Sequence, residues 1–258
     1  MRHDDNSQTM KALLALRQLI LDGGVAADKR ISEAQAVELT GVSRTPVRAA
    51  LQRLAEEGLV RERETGGYEV QIFTERSISD AIEVRGSLEG LAARFAAERG
   101  VPDADLAEMR LLVSRIDDEL DKKHLDQAAF DTYAELNGRF HELLAEFADS
   151  APLRQSLERA VATPFASPSA FTSIQAALPA ARRILTIAND QHRCVLDAIE
   201  AREGARAEAL MREHARLAMR NLRLVLSNSE ALNLVPGGAL ILQDQPVAQI
   251  ARRKRSRI

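Results

Sequence analysis

Hydrophobic positions along the chain follow two periods. Residues 11–22, KALLALRQLILD, place Leu13, Leu16 and Ile20, with Leu14 and Leu21, on a stripe of helical spacing that stops at Gly23-Gly24. A second helix opens at Ser32, where Gln35 completes a capping box ahead of Ala36, Val37 and Leu39, and Gly41 ends it. After the turn Gly41-Val42-Ser43 a third helix runs to about Glu57 and is closed by Gly58. Pro46 is accommodated in its first turn because that N–H has no intrahelical partner. From Leu59 the spacing drops to two: LVRERETGGYEVQIF predicts two short strands about Gly66-Gly67, with Tyr68, Val70 and Ile72 alternating against Glu69 and Gln71. Beyond Thr74 the helical spacing returns, over 76–99, 103–122, 125–148, 152–161, 180–202 and 204–227, with a break at 162–179 carrying Pro164, Pro168 and Pro179.

This pattern predicts a mainly α protein: a winged helix-turn-helix over residues 1–74, a helical bundle over 75–228, and a flexible basic tail over 229–258 that ends in ARRKRSRI. The composition agrees. With 258 residues, 45% hydrophobic and 28% charged, the chain can bury a core, and wholesale disorder is excluded. Seven Phe, two Tyr and no Trp fit helix-on-helix packing better than a sheet sandwich. Cys194, the single cysteine, excludes an intramolecular disulfide and a thiolate metal site. The start lacks the apolar core of a signal peptide and no apolar run reaches about 18 residues, so a cytoplasmic protein with no membrane partner is expected. A net charge of -3 argues against a uniformly basic coat but leaves room for a local basic face.

Such a face occurs on the third helix. Val47, Leu51 and Leu54 lie on one side and Arg44, Arg48 and Gln52 on the other, and no acidic residue occurs between Thr40 and Ala55. In a winged helix-turn-helix this helix enters the major groove. There Arg44 and Arg48 can each donate two bonds to guanine O6 and N7, or bind phosphate, while Ser43 and Thr45 reach phosphate. The alternative is a solvated helix with two surface arginines.

Three of the five histidines sit on apolar stripes of long helices. His141 follows Asn137 by one turn and shares its side with Leu144; His192 aligns with Leu196 and Ile199; His214 lies between Leu210 and Leu217. One such histidine is ordinary core. Three on three helices, with a side-chain oxygen one turn before the first, point to a metal site inside a bundle. His3 and His124, in a tail and a loop, receive no role. Arg85 has two readings: an ion pair with Glu89 one turn later, or a bidentate clamp for a carboxylate effector. Asn221, two turns after His214, either lines the same pocket or packs in the core. A metal-dependent enzyme is the rival from another class, but His141-Glu142 is not followed by a second His at zincin spacing. No inward carboxylate stands out as a general base, and Cys194 lacks a dyad partner. A dimeric adaptor that does not bind DNA is a third reading.

The string LTGVSRTPVRAALQRLAEEGLV closely resembles the GntR superfamily of bacterial transcription factors. The resemblance implies DNA contacts by Ser43, Arg44, Thr45 and Arg48, a minor-groove wing tip at Gly66, and a homodimer on a short inverted repeat of operator DNA. One departure is Ala34, where members often carry Arg or another polar contact. Residues 76–227 resemble the ligand-binding (FCD) domain of the FadR subgroup, which implies a divalent metal, zinc or nickel, held by Asn137, His141, His192 and His214, and a small carboxylate effector. EVRGSLEG, DTYAELNGRFH and MREHARLAMRN look most like vanillate-responsive repressors, so aromatic acids enter the effector class, for which Arg85 and Asn221 are the candidate contacts. Most metal-binding members have Asp where this chain has Asn137. That departure removes the one anionic protein ligand the resemblance implies and weakens the metal site.

Overall fold

The computed structural model describes residues 2–123, 125–171 and 181–242. In chain order its elements are α1 (Arg2–Leu21), β1 (Arg30–Ile31), α2 (Glu33–Thr40), α3 (Arg44–Glu56), β2 (Val60–Glu62), β3 (Tyr68–Val70), β4 (Phe73–Thr74), α4 (Glu75–Arg99), α5 (Asp103–Leu120), α6 (Gln127–Phe147), α7 (Ala151–Ala162), α8 (Ala181–Glu200), α9 (Gly204–Leu226), α10 (Ser229–Leu234), a 3-10 turn (Gly238–Leu240) and β5 (Ile241–Leu242). They divide into two compact units, Met1–Ile78 with Leu232–Ile258, and Ser79–Ala231.

In the first unit, the capping box forms as spaced: Gln35 N–H donates to Ser32 Oγ at 3.2 Å and Ser32 N–H to Gln35 Oε1 at 2.9 Å. Gly41 then takes the left-handed conformation, φ 65°, that ends α2. Leu13, Leu16 and Ile20 of α1 pack with Ala36 of α2 and with Val47, Leu51 and Leu54 of α3, all buried. Leu14, expected on that stripe, is exposed, because the buried arc of α1 is narrower than the run of leucines. Arg17 fixes α1 to the end of α3 through both carboxylate oxygens of Glu57, at 2.6 and 2.7 Å.

The hairpin β2–β3 pairs antiparallel with Glu62 opposite Tyr68, and Gly66 and Gly67 turn it with φ of 82° and 78°. Tyr68 and Val70 face inward as alternation predicts, but β3 ends at Val70 and Ile72 is exposed. A third strand, β1, pairs with the other edge of β3. Two residues are too few to give a periodic signal. Residues 229–242, expected as the start of a flexible tail, form α10, the 3-10 turn and β5 instead. β5 runs parallel to β4, and Gly237 N–H donates to the Leu21 carbonyl at 3.1 Å. The reason is apolar: Leu232, Val235, Leu240 and Ile241 are buried. The basic stretch from Arg252 to Arg257 lies outside the described residues.

The second unit is a bundle of α4 to α9. Its core combines small residues, Ala92, Ala93, Ala96 and Ala97 on α4 and Ala207 on α9, with Phe130, Phe140, Ile116, Leu144, Leu196 and Ile199. Two glycines decide how closely α4 and α9 approach. A Cβ on Gly86 would stand 2.4 Å from the Ala215 Cβ, and one on Gly90 would stand 3.0 Å from the Glu208 carbonyl oxygen. The helices therefore cross almost backbone to backbone at this point.

Candidate functional site

Ser43, Arg44, Thr45 and Arg48 are all exposed on the N-terminal half of α3, while Pro46, Val47, Ala50 and Leu51 are buried beneath them. The free face is as expected, but it is not purely cationic. Glu33, the first residue of α2, accepts from Arg48 Nε at 2.8 Å and from Nη2 at 3.1 Å. The expectation of an acid-free surface counted residues along α3 and overlooked the helix packed beside it. Gly66 is at the tip of the hairpin, where Arg61 and Arg63 each reach Glu69 at 2.8 Å.

In the second unit the bundle brings His141 of α6, His192 of α8 and His214 of α9 together, with one ring nitrogen from each inside 4.8 Å of the others. All three are buried. His192 Nε2 and His214 Nε2 are 3.2 Å apart, a separation that suits two ligands on one ion with metal–nitrogen bonds of about 2.0–2.1 Å. His192 Nδ1 points to Asn189 Oδ1 at 3.4 Å; Asn189 is held by donating its amide to the Val113 carbonyl and Asp117 Oδ1. That arrangement places the proton of His192 on Nδ1 and leaves the Nε2 lone pair for the cluster. Phe140 stacks on the His192 ring at 4.0 Å between centroids. Burial, reinforced by the neighbouring His214, His141 and Arg193, holds His192 well below the usual imidazole range. Burial first and then His141 hold His214 down to about 3. Neutral imidazoles are the metal-binding form, so the donor set fits a divalent ion.

Two further groups meet this cluster, and one of them was not expected. Arg85 and Glu89 of α4 are almost completely buried, at 1% and 2% exposure, and pair at 2.6 Å. Glu89 Oε1 also stands 2.8 Å from His141 Nδ1, although off the line of a hydrogen bond. Burial opposes ionisation of Glu89, but the charges of Arg85 and His141 outweigh it and hold the carboxyl at about 2. The site therefore has an inward carboxylate after all. Of the two readings of Arg85 the ion pair is formed, and it lies in the core, while Arg85 Nε has no hydrogen-bond partner among the described residues. The signal was present in Arg85-Gly86 and Glu89-Gly90: each charged residue precedes a glycine by one position, and those glycines set α4 against α9.

Arg85, Tyr133, Asn137, His214 and Asn221 line one cavity of about 30 Å³. Asn137 donates to Ser169 Oγ at 3.1 Å, and Ser169 donates in turn to the Ala134 carbonyl at 3.2 Å. Asn221 Oδ1 is buried without a hydrogen-bond partner among the described residues. A second, larger groove of about 610 Å³ is lined by Gly138, Leu157 and Val161 among others, and by Glu89 and His141. Cys194 is a half-buried free thiol, His3 falls within α1, and His124 lies outside the described residues.

Comparison with known proteins assigns both units. The bacterial regulatory protein family named gntR matches residues 9–70, and the FCD domain matches residues 80–217. The chain is a GntR-family transcriptional regulator with an FCD domain. Among relatives, the regulator is 29% identical over 144 residues to the uncharacterized HTH-type transcriptional regulator YdhC of Bacillus subtilis, covering 55% of this chain and 62% of that protein. It is 26% identical over 199 residues to the HTH-type transcriptional repressor RspR of Escherichia coli, covering 77% and 82%. The repressor GlaR of Escherichia coli is 26% identical over 202 residues, covering 77% and 88%. Its fold is shared with Escherichia coli McbR/YncC, TM-score 0.56 at 17% identity over 85% of this chain and 97% of that one. Lar, described as controlling the Listeria monocytogenes agr system, gives TM-score 0.58 at 18% identity over 84% and 97%. These families and relatives are regulators of transcription, so the enzyme reading is set aside despite the inward Glu89, and the adaptor reading with it. No helix among the described residues is long and apolar enough to cross a membrane.

Proposed function

We propose that the regulator is a homodimeric repressor that binds a short inverted repeat of operator DNA and is released when a small carboxylic acid enters the histidine cluster. The observation that carries this reading is the buried cluster itself: three imidazoles converge beside Arg85, whose Nε–H lacks an acceptor among the described residues, and beside the orphaned Asn221 Oδ1. Buried polar groups without partners are rare in native cores and mark places where a ligand or water supplies the missing bond. His141, His192 and His214, with the amide oxygen of Asn137, would hold zinc or nickel. When bound, the metal would supply positive charge to anchor an effector carboxylate.

Charge explains why the effector is an acid. Arg85 and Glu89 cancel, and burial keeps His192 and His214 neutral, so a divalent ion among these imidazoles meets little net negative charge from the protein and attracts an anion from outside. Ser43, Arg44, Thr45, Arg48 and Gly66 would contact the operator, with Arg44 and Arg48 reading bases. The repressor sense is supported by the names of RspR and GlaR. Aromatic acids of the vanillate type are the preferred subclass on the strength of EVRGSLEG, DTYAELNGRFH and MREHARLAMRN, and the 610 Å³ groove lined in part by His141 has room for a ring. The test is thermal-shift screening of the full chain against aromatic and aliphatic acids, with and without zinc, followed by gel shift with DNA upstream of the gene. An acid that raises the melting point only with metal and releases DNA supports the reading. Acids that bind equally well after His192→Ala would refute it.

A further inference from the structure

Arg48 is held in a way its neighbour Arg44 is not. Its guanidinium offers five N–H donors, and Glu33 takes Nε–H and one hydrogen of Nη2, both along one edge. Three N–H remain: one outward on each of Nη1 and Nη2 at the end of the fork, a parallel pair suited to guanine O6 and N7, and the second N–H of Nη1 on the edge away from Glu33. No other hydrogen bond of this guanidinium is found among the described residues, and its side chain is 61% exposed against 32% for Glu33. Glu33 is itself fixed in place, following the N-cap Ser32 on the first turn of α2. A two-point contact to a planar carboxylate sets the plane of the guanidinium as well as its position.

We propose that Glu33 is a specificity-determining positioning residue, which holds the side edge of Arg48 so that the end of its fork is presented to one base pair in each half-site. This rests on Arg48 reading a base. An exposed ion pair adds little to stability, so the value of the pair lies in orientation. A freely rotating arginine near DNA finds phosphate as readily as a base edge, because phosphate charge is everywhere along the groove. Glu33 works against that outcome in two ways: it occupies one edge of the guanidinium, and its negative charge is repelled by the backbone if Arg48 swings towards it.

The experiment uses the full chain and the preferred duplex selected by the unmodified protein from a randomised DNA pool, with every single-base-pair variant of that duplex and an unrelated control. Fluorescence anisotropy at several salt concentrations measures Glu33→Ala, Glu33→Gln, Arg48→Ala and the Glu33→Ala/Arg48→Ala double variant, each at a temperature where circular dichroism shows it folded. In Arg48→Ala, preference should fall about tenfold or more at one base pair per half-site. Glu33→Ala should lose preference at that same base pair while its affinity for the control duplex holds or rises, and Glu33→Gln, with one acceptor kept, should lose it in part. The double variant should discriminate no worse than Arg48→Ala alone. Parallel tightening on all duplexes by Glu33→Ala, with preference intact, would reduce Glu33 to a charge mask and overturn the proposal. If Arg48→Ala kept full preference, base reading by Arg48 would fail first, and the role of Glu33 with it.

Discussion

Glu89 and His141, from α4 and α6, meet 2.8 Å apart in the core of the regulatory unit, with Arg85 on the other oxygen of the same carboxylate at 2.6 Å. One carboxylate thus joins Arg85, whose Nε has no hydrogen-bond partner among the described residues, to the histidine cluster. In the proposed metal site Glu89 stands behind the imidazole of His141, a place from which a carboxylate raises the basicity of a ligand, although the sequence pattern hid it.

Glu89→Ala should destabilise the protein by about 3 to 5 kcal/mol, because it leaves the Arg85 charge buried without its partner. Replacing both residues by apolar ones of similar volume, Arg85→Met with Glu89→Leu, should recover most of that loss. Denaturant unfolding of the full chain measures it. A single variant as stable as the original would show that Arg85 escapes to water.

Asn137→Asp should tighten zinc or nickel in the absence of effector, since an anionic oxygen offsets the charge of the metal. The gain will be smaller than charge alone suggests. Asn137 now donates to Ser169, whose proton goes to the Ala134 carbonyl, and an aspartate would require Ser169 to turn and give up that bond. An acidic effector should bind more weakly to this variant, because the metal attracts it less and the new carboxylate repels it. Metal titration and calorimetry decide both points.

His192→Ala should lose metal and effector response together while gel shifts with operator DNA remain normal. The ring is one of the three converging donors and packs on Phe140 at 4.0 Å, so some loss of stability will accompany it. His192→Gln, which keeps more of the volume, separates the two effects: it should restore melting temperature more than metal content.

Gly86→Ala should cost about 1 to 3 kcal/mol, as the added methyl would stand 2.4 Å from the Ala215 Cβ and push α4 off α9. Because Arg85 is the adjacent residue, effector affinity should fall as well. An unchanged melting temperature would show that the two helices separate at no cost.

Much of the regulator was legible in its sequence because local signals carried it. The capping box of Ser32 and Gln35, the stops at Gly41 and Gly58, the Gly66-Gly67 turn and the six long helical stretches beyond Thr74 depend on neighbours within a few residues, and each of those six helices was found within a few positions of its expected bounds, whereas α1, expected from residue 11, begins at Arg2. The three histidines were legible for a related reason: a polar residue on an apolar stripe is visible as an exception to a periodic pattern, and in the bundle the three stripes meet.

What the tertiary structure alone decided are the pairings between elements. Glu33 reaches Arg48 from a different helix, so counting charges along α3 could not reveal that the recognition surface contains an acid. The spacing of Arg85 and Glu89 within α4 allows an ion pair but does not say whether it is exposed or buried; Gly86 and Gly90 place it inside by admitting α9. Residues 229–242 looked like the start of a tail because two-residue strands have no period, and they acquire structure only through a partner at β4. Sequence periodicity fixes which residues of one element turn inward, whereas the charge and ligand partners they find there are set by side chains far along the chain, which only packing brings within bonding distance.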